Sequence, residues 1–165
     1  MQPRLCVEEF IAAYNAEDIS AALACLTGDA VYQDVTYGTH SGQAELKKMF
    51  ERMFREADAR WIVHTWIAEA QRIAIEWTID SQITDAVPQS AGKQVRLFAM
   101  GLFEFRDGRI AGYREYLDFG QVLLQLGASQ ESLHRALSRH LARTLQQRAL
   151  TGPSRNDPSQ DHTHP

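Results

Sequence analysis

The chain has 165 residues, 44% of them hydrophobic and 23% charged, with 17 Lys plus Arg against 21 Asp plus Glu and six His. That composition fits a single globular domain with room for a core and a small cavity, and it excludes collagen-like, coiled-coil and wholly disordered chains. A formal charge of −4, with no basic run ahead of the C-terminal third, removes the electrostatic ground for holding a phosphate backbone, so no nucleic acid partner is expected. Apolar runs such as IAAY and VLLQL fall far short of the roughly 20 residues that span a bilayer, and the first eight residues carry no signal-type apolar stretch. No membrane partner and a cytoplasmic location are the expectations. Cys6 and Cys25 fall in helical apolar patterns as small buried thiols, and neither CxxC nor HExxH spacing occurs. The expected chemistry therefore uses no metal and no cofactor.

Val7, Phe10, Ile11 and Tyr14 form one stripe at helical spacing. Asp18 is a suitable N-cap for a second, short helix carrying Ile19, Ala22, Leu23 and Leu26, which Gly28 ends. Residues 30–35 read as a strand. Gly38 to Gly42 reads as a loop whose Ser41 caps a third helix with Leu46, Met49, Phe50, Met53 and Phe54 as its apolar stripe. Strand patterns follow over 60–68, 72–83, 94–105 and 110–117, and in the second of these Ile73, Ile75, Trp77 and Ile79 alternate with Glu76, Thr78 and Asp80. The Asp107-Gly108 pair marks a tight hairpin turn.

Helices segregated from an antiparallel sheet make an α+β domain. A strongly bent sheet wrapped around the N-terminal helices leaves a cone-shaped pocket open on one side. This domain is expected to cover residues 1–127. Residues 128–150 then read as an amphipathic C-terminal helix, with Leu133, Leu137, Leu141 and Leu145 flanked by Arg135, Arg139, Arg143 and Arg148. Residues 151–165, with three Pro and no large apolar residue, read as a disordered tail.

The opening helices with Tyr14, the strand VYQDV at 31–35, the loop leading into LKKMFERMF and the hairpin GLFEFRDGRIAGYREYLD at 101–118 resemble the nuclear transport factor 2-like superfamily, with its cystatin-like roll. The resemblance covers residues 5–127, and within the superfamily it points to SnoaL-like polyketide cyclases and limonene epoxide hydrolases, with ketosteroid isomerases further off. The epoxide-hydrolase likeness places Glu115 where that family has a catalytic Asp, and Tyr32 and Asp34 where it holds its water. The family's Arg and second Asp fall on Trp77 and Ile79. Shifting the strand by one residue to bring in Asp80 turns four large apolar side chains out of the core, each worth roughly 1.5–3 kcal/mol of burial, so that triad reads as broken. The isomerase likeness places an oxyanion-binding Tyr at Tyr14 and the general base at Asp34, while its protonated Asp falls near Gly101. The cyclase likeness places an acid/base Asp at Asp118.

A carboxylate beside an apolar cavity loses water, which raises its pKa toward neutrality and suits it to proton transfer. The candidate catalytic residues are thus Asp34, Glu115 and Asp118, although Asp118 reads equally as an N-cap and Asp34 equally as a loop cap. Tyr14, Tyr32, Met53, Trp77, Phe103 and Tyr113 are the candidate substrate contacts. The expectation is a homodimer that performs isomerisation, cyclisation or dehydration on a small hydrophobic molecule. Epoxide opening and a non-catalytic ligand-binding or dimerisation module remain as alternatives.

Overall fold

A computed structural model describes residues 2–150, with side chains as far as Gln146; the tail expected to be disordered, 151–165, lies outside the described residues. The chain divides into two compact units, the first ending at Gly127 and the second beginning at Ala128.

In the first unit, helices α1 (Pro3–Asn15) and α2 (Ile19–Ala24) precede strands β1 (Leu26–Asp34) and β2 (Gly38–Ser41). Helix α3 (Gln43–Glu56) then leads into β3 (Ala57–Ala68), β4 (Arg72–Ile83), β5 (Gln94–Arg106) and β6 (Arg109–Leu117), and α4 (Phe119–Gln125) closes the unit. The six strands form one curved, unclosed sheet in the order β2-β1-β6-β5-β4-β3. All neighbours are antiparallel except β1 and β6, which run parallel with Tyr32 opposite Tyr113. The Asp107-Gly108 turn between β5 and β6 has positive φ at both residues, 53° and 74°, as a type I′ hairpin requires.

Two local readings of the sequence change. Gly28 does not end α2; Cys25 caps it and β1 starts at Leu26, because Leu26 pairs with Ile110 and both side chains are buried. Residues 38–41 are a strand rather than a loop, and Gly42, at φ 76° and without a side-chain cap, replaces Ser41 at the start of α3. The Gly42 N–H donates to Ala30 O instead, so a backbone contact fixes that corner.

The inner face of the sheet is filled at one end and open at the other. Phe10 of α1 meets Tyr32, Phe50, Trp61 and Phe103 at ring-centroid distances of 6.1–6.3 Å, and Ile73, Ile75 and Ile110 complete that solid end. Further along the same strands Trp77, Ile79, Val95, Leu97 and Glu115 face a cavity. Helix α1 follows the same division, with Phe10 on the solid side and Tyr14 on the open side. The alternation read for β4 holds, since Ile73, Ile75, Trp77 and Ile79 are all buried while Asp80 lies on the outer face, paired with Arg96 of β5. Cys6 and Cys25 are buried free thiols whose pKa values are raised by desolvation, which makes them packing groups rather than nucleophiles.

The second unit contains α5 (Gln130–Leu150). Of its leucine stripe, Leu133 and Leu137 are half-buried, while Leu141 and Leu145 are 58% and 61% exposed. Among the described residues no helix is long and apolar enough to cross a membrane, and no three His, Cys, Asp or Glu side chains gather as metal ligands.

The end of α1 is tied to β3 by one side chain. Asn15 Nδ2 donates to Trp61 O at 2.9 Å, and Asn15 Oδ1 accepts from Trp61 N at 2.7 Å, which satisfies both backbone groups of a residue on the outermost strand. Replacing Asn15 by Ala strands both groups at a part-buried site, so Asn15→Ala is expected to lower unfolding free energy by about 1–3 kcal/mol, as read from urea denaturation. Asn15→Asp, which keeps only the acceptor, should lose an intermediate amount.

Candidate active site

The open end of the sheet encloses a cavity of about 220 Å³. Trp61, Trp77, Ile79 and Leu97 form its apolar wall, Tyr14 and Met53 approach from the helices, and Val122 with Leu126 covers one side of the mouth. Helix α4 is held there by Gln125, whose amide accepts from Arg96 N at 2.8 Å and donates to Arg96 O at 3.0 Å. Asp34 and Glu115 bring two carboxylates to the inner wall, and among the described residues no Lys, Arg or His lines it.

Each carboxylate is fixed by the strand pairing beneath it. Asp34 is the last residue of β1, where the chain turns, and its Oδ1 accepts from Thr36 N at 2.7 Å and Tyr37 N at 2.6 Å. Glu115 stands on β6 with its side chain on the same face as Tyr113. Its Oε1 accepts from Val35 N at 2.8 Å, which ties β6 to the end of β1, and its Oε2 accepts from the Tyr113 hydroxyl at 3.3 Å. The Tyr113 ring lies 4.4 Å from that of Tyr32.

Burial pushes Asp34 up to about 6, against the lowering effect of the Tyr37 and Thr36 N–H groups and of nearby His40. Burial also raises Glu115 well above the ordinary Glu range, and the Asp34 charge adds to the rise. Glu115 has one backbone N–H and one phenol to steady its anion, whereas Asp34 has two backbone N–H groups and a histidine. The two therefore separate in order: Asp34 gives up its proton first, and its charge then holds the proton on Glu115. Tyr14, Tyr32 and Tyr113 are each raised by burial and by these carboxylates, so all three stay protonated.

The sequence-derived site residues divide. Asp34, Glu115, Tyr14, Tyr32, Met53 and Trp77 line the cavity, and Tyr113 touches it through Glu115. Asp118 does not belong to it: its Oδ1 accepts from Gln121 N at 3.2 Å as the N-cap of α4, and the residue is exposed on the other side of the sheet. Phe103 is also misplaced, because it lies on the filled side, fully buried against Phe10 and Tyr113. Sequence reading missed Glu56 and Tyr37, which both line the cavity, with Arg52 bonded to Glu56 at 2.8 Å and lying over the Tyr37 ring at 5.2 Å. The spacing Met49, Met53, Glu56 held that signal, since it puts Glu56 on the inward stripe of α3.

Comparison with known proteins bears on the family and the fold. A family model described as a SnoaL-like domain matches residues 7–113. The chain is 29% identical over 112 residues to epoxide hydrolase EphG of Mycobacterium tuberculosis, covering 68% of this chain and 70% of that protein. A Pseudomonas putida KT2440 protein provisionally named a polyketide cyclase superposes with a TM-score of 0.66 at 27% identity, over 76% of this chain and 98% of that one. An LEH-like epoxide hydrolase of M. tuberculosis superposes with a TM-score of 0.59 at 24% identity, over 87% and 94% of the two chains.

The raised carboxyl groups make stability depend on pH with a definite sign. A group whose folded pKa exceeds its unfolded value binds more protons in the folded state, so stability falls as pH rises through that window. For Asp34 the window runs from the unfolded value near 4 to about 6, and for Glu115 it extends higher. Glu115→Gln and Asp34→Asn are therefore expected to raise Tm at pH 8, with the gain vanishing toward pH 4; thermal unfolding across that range checks it.

Proposed function

The chain belongs to the SnoaL-like domain family, and from that premise we propose that it is an enzyme of cofactor-independent acid/base chemistry on a small hydrophobic molecule. The observation that carries this reading is the Asp34–Glu115 pair on the inner wall of an apolar cavity. The ionised Asp34 accepts a proton from a C–H next to a carbonyl group. The protonated Glu115 donates to the carbonyl oxygen as negative charge develops there, which avoids a free oxyanion in a low-dielectric site. Return of the proton at a second carbon gives isomerisation; loss of a β-hydroxyl as water gives dehydration; attack of the carbanion on a second carbonyl gives cyclisation. Tyr14 and Tyr32 supply further hydroxyls on the cavity wall.

The cavity restricts the substrate. At ~30 Å³ per water it holds the equivalent of about seven waters, below the range of drug-sized sites. Apolar walls beside three carboxyl groups, those of Asp34, Glu56 and Glu115, favour a neutral compound over an anion, whose charge would meet no cation on the lining.

Epoxide opening is the second reading, favoured by the likeness to EphG. Asp34 would then take the proton of an attacking water while Glu115 protonates the epoxide oxygen. The family's Arg and second Asp positions are held here by Trp77 and Ile79, so two carboxyl groups would have to do what three charged residues do in the resembling family.

The opposite face of the sheet exposes Ile62, Phe98, Met100 and Tyr116: Met100 of β5 pairs directly with Tyr116 of β6, Phe98 stands two residues along β5 from Met100, and Ile62 of β3 lies beyond Thr78 of β4 from Phe98. We place a second copy of the chain on this face, with like surfaces meeting about a twofold axis.

Two measurements test these readings. Deuterium exchange from D2O into the α-positions of cyclic enones and ketones should proceed with the native chain and fall by 10²–10⁴ in Asp34→Asn and in Glu115→Gln. Hydrolysis of a parallel epoxide panel with the same two dependences would favour the second reading, and indifference of both reactions to both substitutions leaves a ligand-binding module. Light scattering should give twice the chain mass, and Phe98→Glu should halve it.

A further inference from the structure

Gly101 is an ordinary β5 residue without a positive φ, at a position where glycine weakens a strand for no backbone reason. Its neighbours supply the reason. A Cβ there would lie 2.7 Å from Tyr113 Cε2, 2.9 Å from Tyr113 Oη and 3.0 Å from Trp77 Nε1. Gly101 is also the cross-strand partner of Glu115, so the missing side chain leaves its gap on the inner face directly beside the carboxyl group. The Tyr113 ring occupies that gap. It is clamped between Tyr32 at 4.4 Å and Phe103 at 4.7 Å, and from there its hydroxyl reaches Glu115 Oε2 at 3.3 Å.

We propose that Gly101 and Tyr113 form a positioning unit for Glu115, in which the absent Cβ makes the slot that lets Tyr113 lie against β5 and steer one carboxyl oxygen. This inference rests on the reading of Glu115 as the acid of the pair. Val35 N–H holds Oε1, so the carboxyl plane is set from both ends, and Tyr113 is the only one of the two tethers supplied by a side chain. Any side chain at Gly101 strikes the Tyr113 ring or the Trp77 indole, both fully packed, and Tyr113 is the member that also carries the tether. The charged and titratable groups facing Glu115 are Asp34 and Tyr32 from β1, Tyr14 from α1 and Tyr113 from its own strand; β5 contributes none, because Gly101 stands there.

The test reads Glu115 directly. In chain labelled with carboxyl-13C glutamate, the resonance missing from Glu115→Gln identifies this residue, and its pH titration is followed. Because the carboxyl pair titrates as a unit, the series is run in the Asp34→Asn background, where Glu115 titrates alone. Tyr113→Phe removes an O–H that steadies the anion, so the Glu115 midpoint should move to higher pH. Gly101→Ala should move it in the same direction, and adding Gly101→Ala to Tyr113→Phe should move it no further. A Glu115 midpoint unmoved by Gly101→Ala, or moved as far in the Tyr113→Phe background as without it, overturns the proposal. Should Gly101→Ala not fold, pairing it with Tyr113→Leu removes the ring that the new methyl strikes; a recovered fold supports the slot and a failed recovery overturns it. No substrate enters these readings, so they stand or fall separately from the acid/base chemistry, which fails instead if proton exchange ignores Glu115→Gln.

Discussion

The Glu115 carboxyl group holds together the parts on which the site depends. One oxygen takes the Val35 N–H at the end of β1 and the other takes the Tyr113 hydroxyl, so a single side chain on β6 locks the one parallel strand pairing at the place where the cavity begins. A group so placed loses most of its water, and its three hydrogen-bonding options are a backbone amide, a phenol and whatever enters the cavity. That is the physical origin of its raised pKa and of its fitness to hold a proton until a ligand oxygen arrives.

Asp34 belongs to the same arrangement and ends in the opposite state. It caps the turn that follows β1, and the two N–H groups it accepts keep its carboxylate within reach of ionisation despite burial. The loop-capping and functional readings of Asp34 are therefore not rivals. The cap fixes the carboxylate and lowers its pKa relative to Glu115, and the difference between the two gives a donor and an acceptor in one cavity. Asp118 shows the other outcome: it caps α4 in the same manner, but exposed on the outer side of the sheet, away from the Asp34–Glu115 cavity.

The comparison with epoxide hydrolases turns on β4. Burial of Ile73, Ile75, Trp77 and Ile79 fixes the register, and with it the outward direction of Asp80 toward Arg96. Hydrophobic burial thus decides which charged residues can reach the cavity, and it leaves the carboxylates of β1 and β6 there without a guanidinium. Family membership carries the fold and the cavity across; the reaction depends on the side chains that this register presents.

The sequence by itself determined the helices, the strand alternation on β4, the Asp107-Gly108 turn and the presence of Asp34, Tyr32 and Glu115 on the core faces of their strands, because each is a local pattern of period 3.6 or 2 or a local turn requirement. It did not reveal β2, whose four residues become a strand only by pairing with β1, nor the start of β1 at Leu26, which depends on Ile110 more than eighty residues away. Phe103 and Asp118 sit at strand or strand-end positions whose residue type suits a cavity wall; how far along each strand the helices fill the sheet, and on which side α4 begins, follows from packing between distant segments. Glu56 and Gly101 make the same point from opposite directions. Helical spacing puts Glu56 on the inward stripe of α3, but what it meets there, and why Gly101 carries no side chain, depend on what other segments bring against them.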